Sequence, residues 1–470
     1  MSLAEPILAP LDTEDLRVQG LLHLGRTAGS HRLHRRRLNR SSDEEYQDIP
    51  LNTSPESPTA FVTIPAVLIS WETLIYLGLS AGKAAQLWQE WSNWPDSGPR
   101  REVDADDGGL QVPFLDFIIG HIENNPDARD ESDAQWRACM DACGLATDIQ
   151  DAIMDPHFTY LRLSNSCLHW VKDTIEMRYA GLQDIQRTSR AREMELRRMA
   201  SRSDGYQRSE GRDQGGYTMG SASSSTVAGQ GQNPRLNFQR QSSPGVGPDI
   251  WSSVRALASR NCPGYTTLYK AMDQARMNGL FDGSGALSNI RVLLSHPPSD
   301  FSGTRSLFYF TPDIRVAEYY ASYAKRRVNC ESVVIMRLRI PNAAIESLSE
   351  PDIRRLYWPS NDWKELVWRS RTRQALPTRL RTYRDALLII GTISRKPDAQ
   401  YHALSTWENI TERYVLKVGA NGDGNAAVQY VINGEEEGCE WLEENGARNI
   451  QAFPYRSAQL QSWLAENLVP

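Results

Sequence analysis

The pattern of apolar and polar positions changes three times along the chain. Residues 1–60 are polar, carry prolines and show no hydrophobic period, which predicts a disordered tail. From Phe61 onward apolar residues recur at helical spacing. Leu74, Leu77, Ala81, Ala84, Leu87, Trp88 and Trp91 mark amphipathic helices. "FLDFIIGHIEN", "DAQWRACMDACG" and "DIQDAIMD" add shorter ones, and the stretch from Tyr160 to about Met199 reads as one long helix. A mostly helical domain is therefore expected over 61–200. Residues 201–249 are rich in Gly and Ser and lack any period, so they read as a flexible linker.

Beyond the linker the period shortens. "RSLFYFT", "SVVIMRLRIP", "KELVWRS", "DALLIIGTI", "RYVLKVG" and "AVQYVING" have the composition of strands. "LYKAMDQARMNGLF", "PDIRVAEYYASYAKRR", "GCEWLEENG" and "SAQLQSWLAEN" read as helices. The expected fold class is α+β. It comprises a helical N-terminal domain, a linker, a mixed-sheet domain over 250–404 and a small α/β appendage over 405–470.

Composition narrows the function classes. The 470 residues are 40% hydrophobic and 23% charged, ordinary for a globular chain of two or three domains. A net charge of -6 gives no nucleic-acid footprint, apart from the basic run "HRLHRRRLNR" at 31–40, read as a solvated patch in the tail. No apolar run is long enough to span a membrane. The first residues lack a positively charged leader segment, and six cysteines in so long a chain suggest no disulfide framework. An intracellular protein, cytoplasmic or nuclear, is expected. Cys139, Cys143, Cys167 and His169 match no common zinc spacing, so no metal is expected. No glycine-rich phosphate loop of either common kind is present.

Candidate chemistry gathers at "FYFTPDIRVAEYYASYA", residues 308–324. Thr311 can cap the helix that follows, with Pro312 at its first position. Phe308 and Phe310 point to one side of the strand, and Leu307, Tyr309 and Thr311 to the other. Ala317, Tyr320, Ala321 and Ala324 share one helix face. Tyr309 and Tyr320 then border one slot, where two rings can hold a flat heteroaromatic by offset stacking. The same residues also suit core packing between sheet and helix. Glu365, in "DWKELVWRS", is a carboxylate in an apolar strand, costly unless paired or used.

The order "LYKA", "YFTPDIRVAEYY", "KELVW" resembles the ADP-ribosyltransferase superfamily, particularly the branch of the poly(ADP-ribose) polymerases. The likeness covers roughly residues 261–395. It implies NAD as substrate and places Lys270 at a histidine position that holds the distal ribose. Tyr309 falls on the first tyrosine of the pattern, Tyr320 on the ring-stacking one, and Glu365 on the catalytic glutamate. The implied activity is NAD-dependent ADP-ribosyl transfer, or NAD glycohydrolysis, by cleavage of the nicotinamide–ribose bond. A carboxylate there would stabilise the oxocarbenium-like centre. A protein acceptor or partner would meet the helical domain. Departures from the pattern are Lys270, Ala271 in place of a Gly, Ala317 in place of a Ser, and Trp363 two before Glu365. They suit the alternative, a catalytically inactive binding module on the same scaffold. The chain also resembles proteins of filamentous fungi, a likeness that implies no activity.

Overall fold

A computed structural model describes residues 5–39, 42–95, 97–104, 110–210, 262–282, 285–328, 332–418 and 424–467, with backbone alone over 202–210. The fold is mixed α+β, as the sequence predicts. The expected linker lies outside the described residues from 211 on. Its first ten positions belong to a helix.

The N-terminal part is not a tail. Helix α1 (Pro10–Val18) lies against a long helix, and strands β1 (Leu22–Leu24), β2 (Ser30–His34) and β3 (Phe61–Pro65) form an antiparallel sheet. Arg192 donates to both oxygens of the buried Asp12 at 2.7 and 2.8 Å, and Ala9 N donates to Ser189 Oγ at 2.9 Å. Leu16, Leu21, Leu22, Leu33 and Leu38 bury themselves with Leu182 and Ile185. The basic run falls on β2 and a 3-10 turn, with Leu33, His34 and Leu38 buried and Arg36 paired to Asp43 at 2.8 Å. The tail expectation failed because these few leucines find their partners some 150 residues further on. A local window cannot see that burial.

The helical region follows the predicted spacing. Helices α2 (Trp71–Tyr76), α3 (Ala81–Ser92), α4 (Phe114–Glu123), α5 (Asp133–Cys143) and α6 (Thr147–Ile153) each bury one apolar face. Ser70, Ser80 and Ser132 cap three of them. The long helix begins later than expected. Residues Thr159–Arg162 form one short turn, and α7 then runs Cys167–Glu210.

Two sheets build the C-terminal part. Strands β4 (Tyr265–Asp273), β7 (Val333–Pro341) and β11 (Ile450–Tyr455) pair antiparallel in the order β11-β7-β4. The other sheet has the order β8-β9-β10-β6-β5, from β5 (Leu294–Ser295), β6 (Leu307–Phe310), β8 (Ile353–Leu356), β9 (Leu388–Thr392) and β10 (Val428–Asn433). Its β8/β9 pair is parallel and the rest are antiparallel. The sheets meet at a bridge between Tyr269 and Thr311, with N–H···O bonds of 2.7 and 2.9 Å. Helix α8 (Ile314–Arg327) leaves that bridge. Asp313, rather than Thr311, caps it by accepting from Arg315 N, while Thr311 Oγ1 donates to Val428 O.

Four expectations are corrected here. "KELVWRS" is helix α9 (Asn361–Arg371), capped by Ser360, with Trp363, Leu366, Val367 and Ser370 on its buried face. "LYKAMD" is strand β4 rather than helix. Residues 405–470 are no appendage. β10 lies inside the five-stranded sheet, β11 extends the other, and helices α10 (Glu436–Gly446) and α11 (Ser457–Glu466) pack on them and on α8. "RYVLKVG" forms isolated bridges and a 3-10 turn, not a strand.

The two halves share a core. Tyr319 and Tyr323 of α8 stack on Phe158 at 6.0 and 5.1 Å, and Trp463 stacks on Phe158 at 5.1 Å. Leu161 N donates to the Tyr319 hydroxyl at 3.2 Å, and Tyr323 donates to Ile153 O at 3.1 Å. Lys325 pairs with Glu45, both 2% exposed, and Arg327 with Asp173 at 2.8 Å. Tyr319 and Tyr323, two of the six aromatic residues of 308–324, serve this seam.

Candidate functional site

A cleft of about 840 Å³ opens beside the bridge that joins the sheets. Its size suits a ligand larger than a mononucleotide. Lys270 from β4, Tyr309 from β6 and Tyr320 from α8 all line it. Their positions follow from the local chain. Tyr309 and Thr311, the bridge residue just past β6, share one face, and α8 starts three residues after that bridge, so Tyr320 returns over the same opening. Ala317 and Ala271 line it too, and their small side chains leave it open.

Hydrogen bonds hold Tyr309 and Lys270, and Tyr320 packs beside Val316 and Leu416. The Tyr309 hydroxyl donates to Ser299 Oγ at 2.6 Å and accepts from Phe301 N at 3.4 Å. Burial raises its hydroxyl well above the ordinary tyrosine range, with Asp300 adding to the effect. Burial, again with Asp300, pushes Tyr320 up to about 12. Both stay neutral rings, as stacking on an uncharged or cationic heteroaromatic requires. Lys270 Nζ donates to Leu293 O at 2.8 Å and Ser295 Oγ at 3.0 Å and stands 6.0 Å from the Phe310 ring. Burial pulls its ammonium down to about 8.

Glu365 does not join them. It sits on α9 away from the cleft lining, 4% exposed, and accepts from Arg369 Nε at 2.7 Å and from Arg379 of the short helix Thr378–Arg384. The expectation of a catalytic strand glutamate is thereby corrected: Glu365 and Arg369 are an i,i+4 helical pair. The signal was in the sequence, as Ser360 follows Pro359 three positions before Trp363.

Sequence reasoning missed the residues that make the floor. Asp300 accepts from Arg371 Nη2 at 2.5 Å, Ser394 N at 2.7 Å, Ser394 Oγ at 2.5 Å and Gln429 Nε2 at 2.8 Å. Arg371 also reaches Asp398 at 3.1 Å. Gln429 lies on β10, the strand that pairs with β6, and is 4% exposed. A buried amide in the apolar run "AVQYVIN" was the available clue, since such a group needs partners. Asp300 gave none, being one acid in the loop "HPPSDFSG".

The opposite wall comes from the N-terminal part, where Ser164, Asn165, His169 and Lys172 line the same cleft. Beside them, burial favours a protonated Asp173 carboxyl, and the Arg327 and Arg276 charges outweigh it, holding that carboxyl below the usual range. Arg276 bonds Asp173 at 2.8 Å and Glu176 at 3.2 Å. Among the described residues no group of three His, Cys, Asp or Glu side chains is placed to hold a metal ion, and Cys139, Cys143 and Cys167 are buried free thiols. Nor is any described helix long and apolar enough to cross a membrane. No family model, no curated protein and no solved structure matches the chain.

Proposed function

We propose that this cleft binds a dinucleotide of the NAD class on an ADP-ribosyltransferase-like scaffold, and that it recognises the ligand without cleaving it. The convergence of Tyr309, Tyr320 and Lys270 on one cleft, with Glu365 paired elsewhere, carries the reading. The tyrosine rings suit stacking on a nicotinamide. Lys270 offers a donor to a ribose hydroxyl or a phosphate.

Cleavage of the nicotinamide–ribose bond needs a carboxylate free to face the ribose. Asp300, the carboxylate that acts on both tyrosines, is already committed, and so is Asp173 on the α7 wall. Asp300 holds Arg371, Ser394 and Gln429, and Asp173 holds two arginines. Gln429 lines the same cleft from β10, the strand that pairs with β6. An amide there can orient a hydroxyl but cannot neutralise a developing cation. The enzymatic reading, ADP-ribosyl transfer or NAD glycohydrolysis, therefore rests on Asp300 being released from its partners.

Melting of the full chain with NAD tests the reading. Saturation at about a hundredfold over Kd should stabilise by about 2.7 kcal/mol. Tyr320→Ala should abolish that gain, and no nicotinamide should be released. An unshifted melting temperature with NAD would sink the binding proposal. Nicotinamide release that persists in Glu365→Gln and vanishes in Asp300→Asn would replace it with the enzymatic one.

A further inference from the structure

The sheets do not close the cleft alone. Ser164, Asn165 and His169, at the start of α7, stand on its other side. That wall is fixed in place. Arg327 and Arg276 of the C-terminal part both bond Asp173, one helical turn beyond His169, and Arg178 Nη2 donates to Arg327 O at 3.0 Å. The charged residues of the wall are consumed in holding it. Lys172 pairs with Glu123 at 2.5 Å and Glu176 with Arg276. The side chains of His169 and Asn165 form no hydrogen bond among the described residues. The His169 ring is exposed and lies edge-on to Trp170 at 4.9 Å. Two polar groups on a rigid wall, facing a cavity larger than one nucleotide needs, are groups awaiting a ligand.

We propose that the N-terminal domain completes the ligand site, with His169 and Asn165 contacting the half of a dinucleotide that lies beyond the ring held by Tyr309 and Tyr320. This inference rests on the reading of the cleft as an NAD-type site and adds the span of the ligand. The cleft gives the scale. Tyr309 and Tyr320 line it together with Asn165 and His169, and its volume of about 840 Å³ is more than one nucleotide fills. A dinucleotide with one half at the tyrosines has its second half left for the α7 wall. Selectivity for the longer ligand is then a property of the two domains together.

Titration calorimetry on the full chain, with NAD and nicotinamide mononucleotide as probes, tests this. The unmodified protein should bind NAD more tightly than the mononucleotide. The double variant His169→Ala, Asn165→Ala should lose about tenfold in NAD affinity, the scale of lost hydrogen bonds, and keep its affinity for the mononucleotide. Tyr320→Ala should weaken both. Unchanged NAD affinity in the double variant, beside a weakened Tyr320→Ala, would overturn the inference and leave the ring-stacking reading standing. Equal losses for both ligands would also overturn it, because α7 would then act through the fold. Failure of the unmodified protein to bind either ligand would end both readings. The side chains of His169 and Asn165 make no hydrogen bond among the described residues, so an unchanged melting temperature without ligand should accompany these results.

Discussion

Tyr320 and Tyr323 stand three residues apart on one helix and meet opposite fates. Tyr323 is fully buried in the seam, stacked on Phe158, with its hydroxyl donating to a backbone carbonyl. Tyr320 is half-buried at the cleft edge, packed beside Val316 and Leu416. One face of α8 joins the two domains and the adjacent face opens on a ligand space. The lesson concerns burial. Aromatic residues crowd this strand-to-helix turn because one short element borders both regions, and only accessibility separates them. Tyr323→Ala should cost about 3–5 kcal/mol in denaturant unfolding, the usual scale for truncating a large buried ring. Tyr320→Ala should cost about 1–2 kcal/mol, because part of the ring is already in water. Equal losses would break the distinction between seam and cleft.

The seam also holds charge. Lys325 and Glu45 are 280 positions apart and each 2% exposed. Lys325→Met leaves Glu45 buried without its cation and should destabilise by about 3–5 kcal/mol. Adding Glu45→Leu should recover most of that, since an apolar pair removes the stranded charge. Unfolding curves of the single and double variants measure it. A double variant no better than the single would mean that the pair holds the seam by more than charge compensation.

What could be read in the sequence follows the same division. Elements with a strong period were legible. The helices over 71–153, strands β6, β7, β9 and β10, and α8 all fall where alternation or helical spacing puts them. Tyr309, Tyr320 and Lys270 were legible as site residues because strand and helix geometry fixes which way they face. The N-terminal segment was not, since Leu16 and Leu33 are buried only by partners as distant as Leu182 and Ile185. Glu365 misled because "ELVW" has strand composition in a window too short to show the Trp363, Val367, Ser370 face of a helix. The floor of the cleft was illegible. Asp300, Arg371, Ser394 and Gln429 come from four separate segments, and only the tertiary fold brings one carboxylate to all three partners.

The finest test of the cleft is chemical. Lys270 is held by two neutral acceptors, Leu293 O and Ser295 Oγ, and among the described residues no carboxylate bonds its ammonium. Burial therefore acts unopposed and draws its titration down to about 8, from an ordinary lysine value near 10.4. The neutral amine is the reactive form. Competitive acetylation followed by peptide mass spectrometry should give Lys270 a half-maximal rate near pH 8, while surface lysines titrate near 10.4. A charged group with a lowered value loses favour as pH falls, so between those two values the folded state should gain stability as pH rises. Lys270→Met should remove that part of the pH dependence. NAD should slow acetylation of Lys270 and leave the surface lysines unaffected. A midpoint near 10.4 would show a hydrated amine outside the dry part of the cleft, and Lys270 could then not be the preset donor that the ligand site requires.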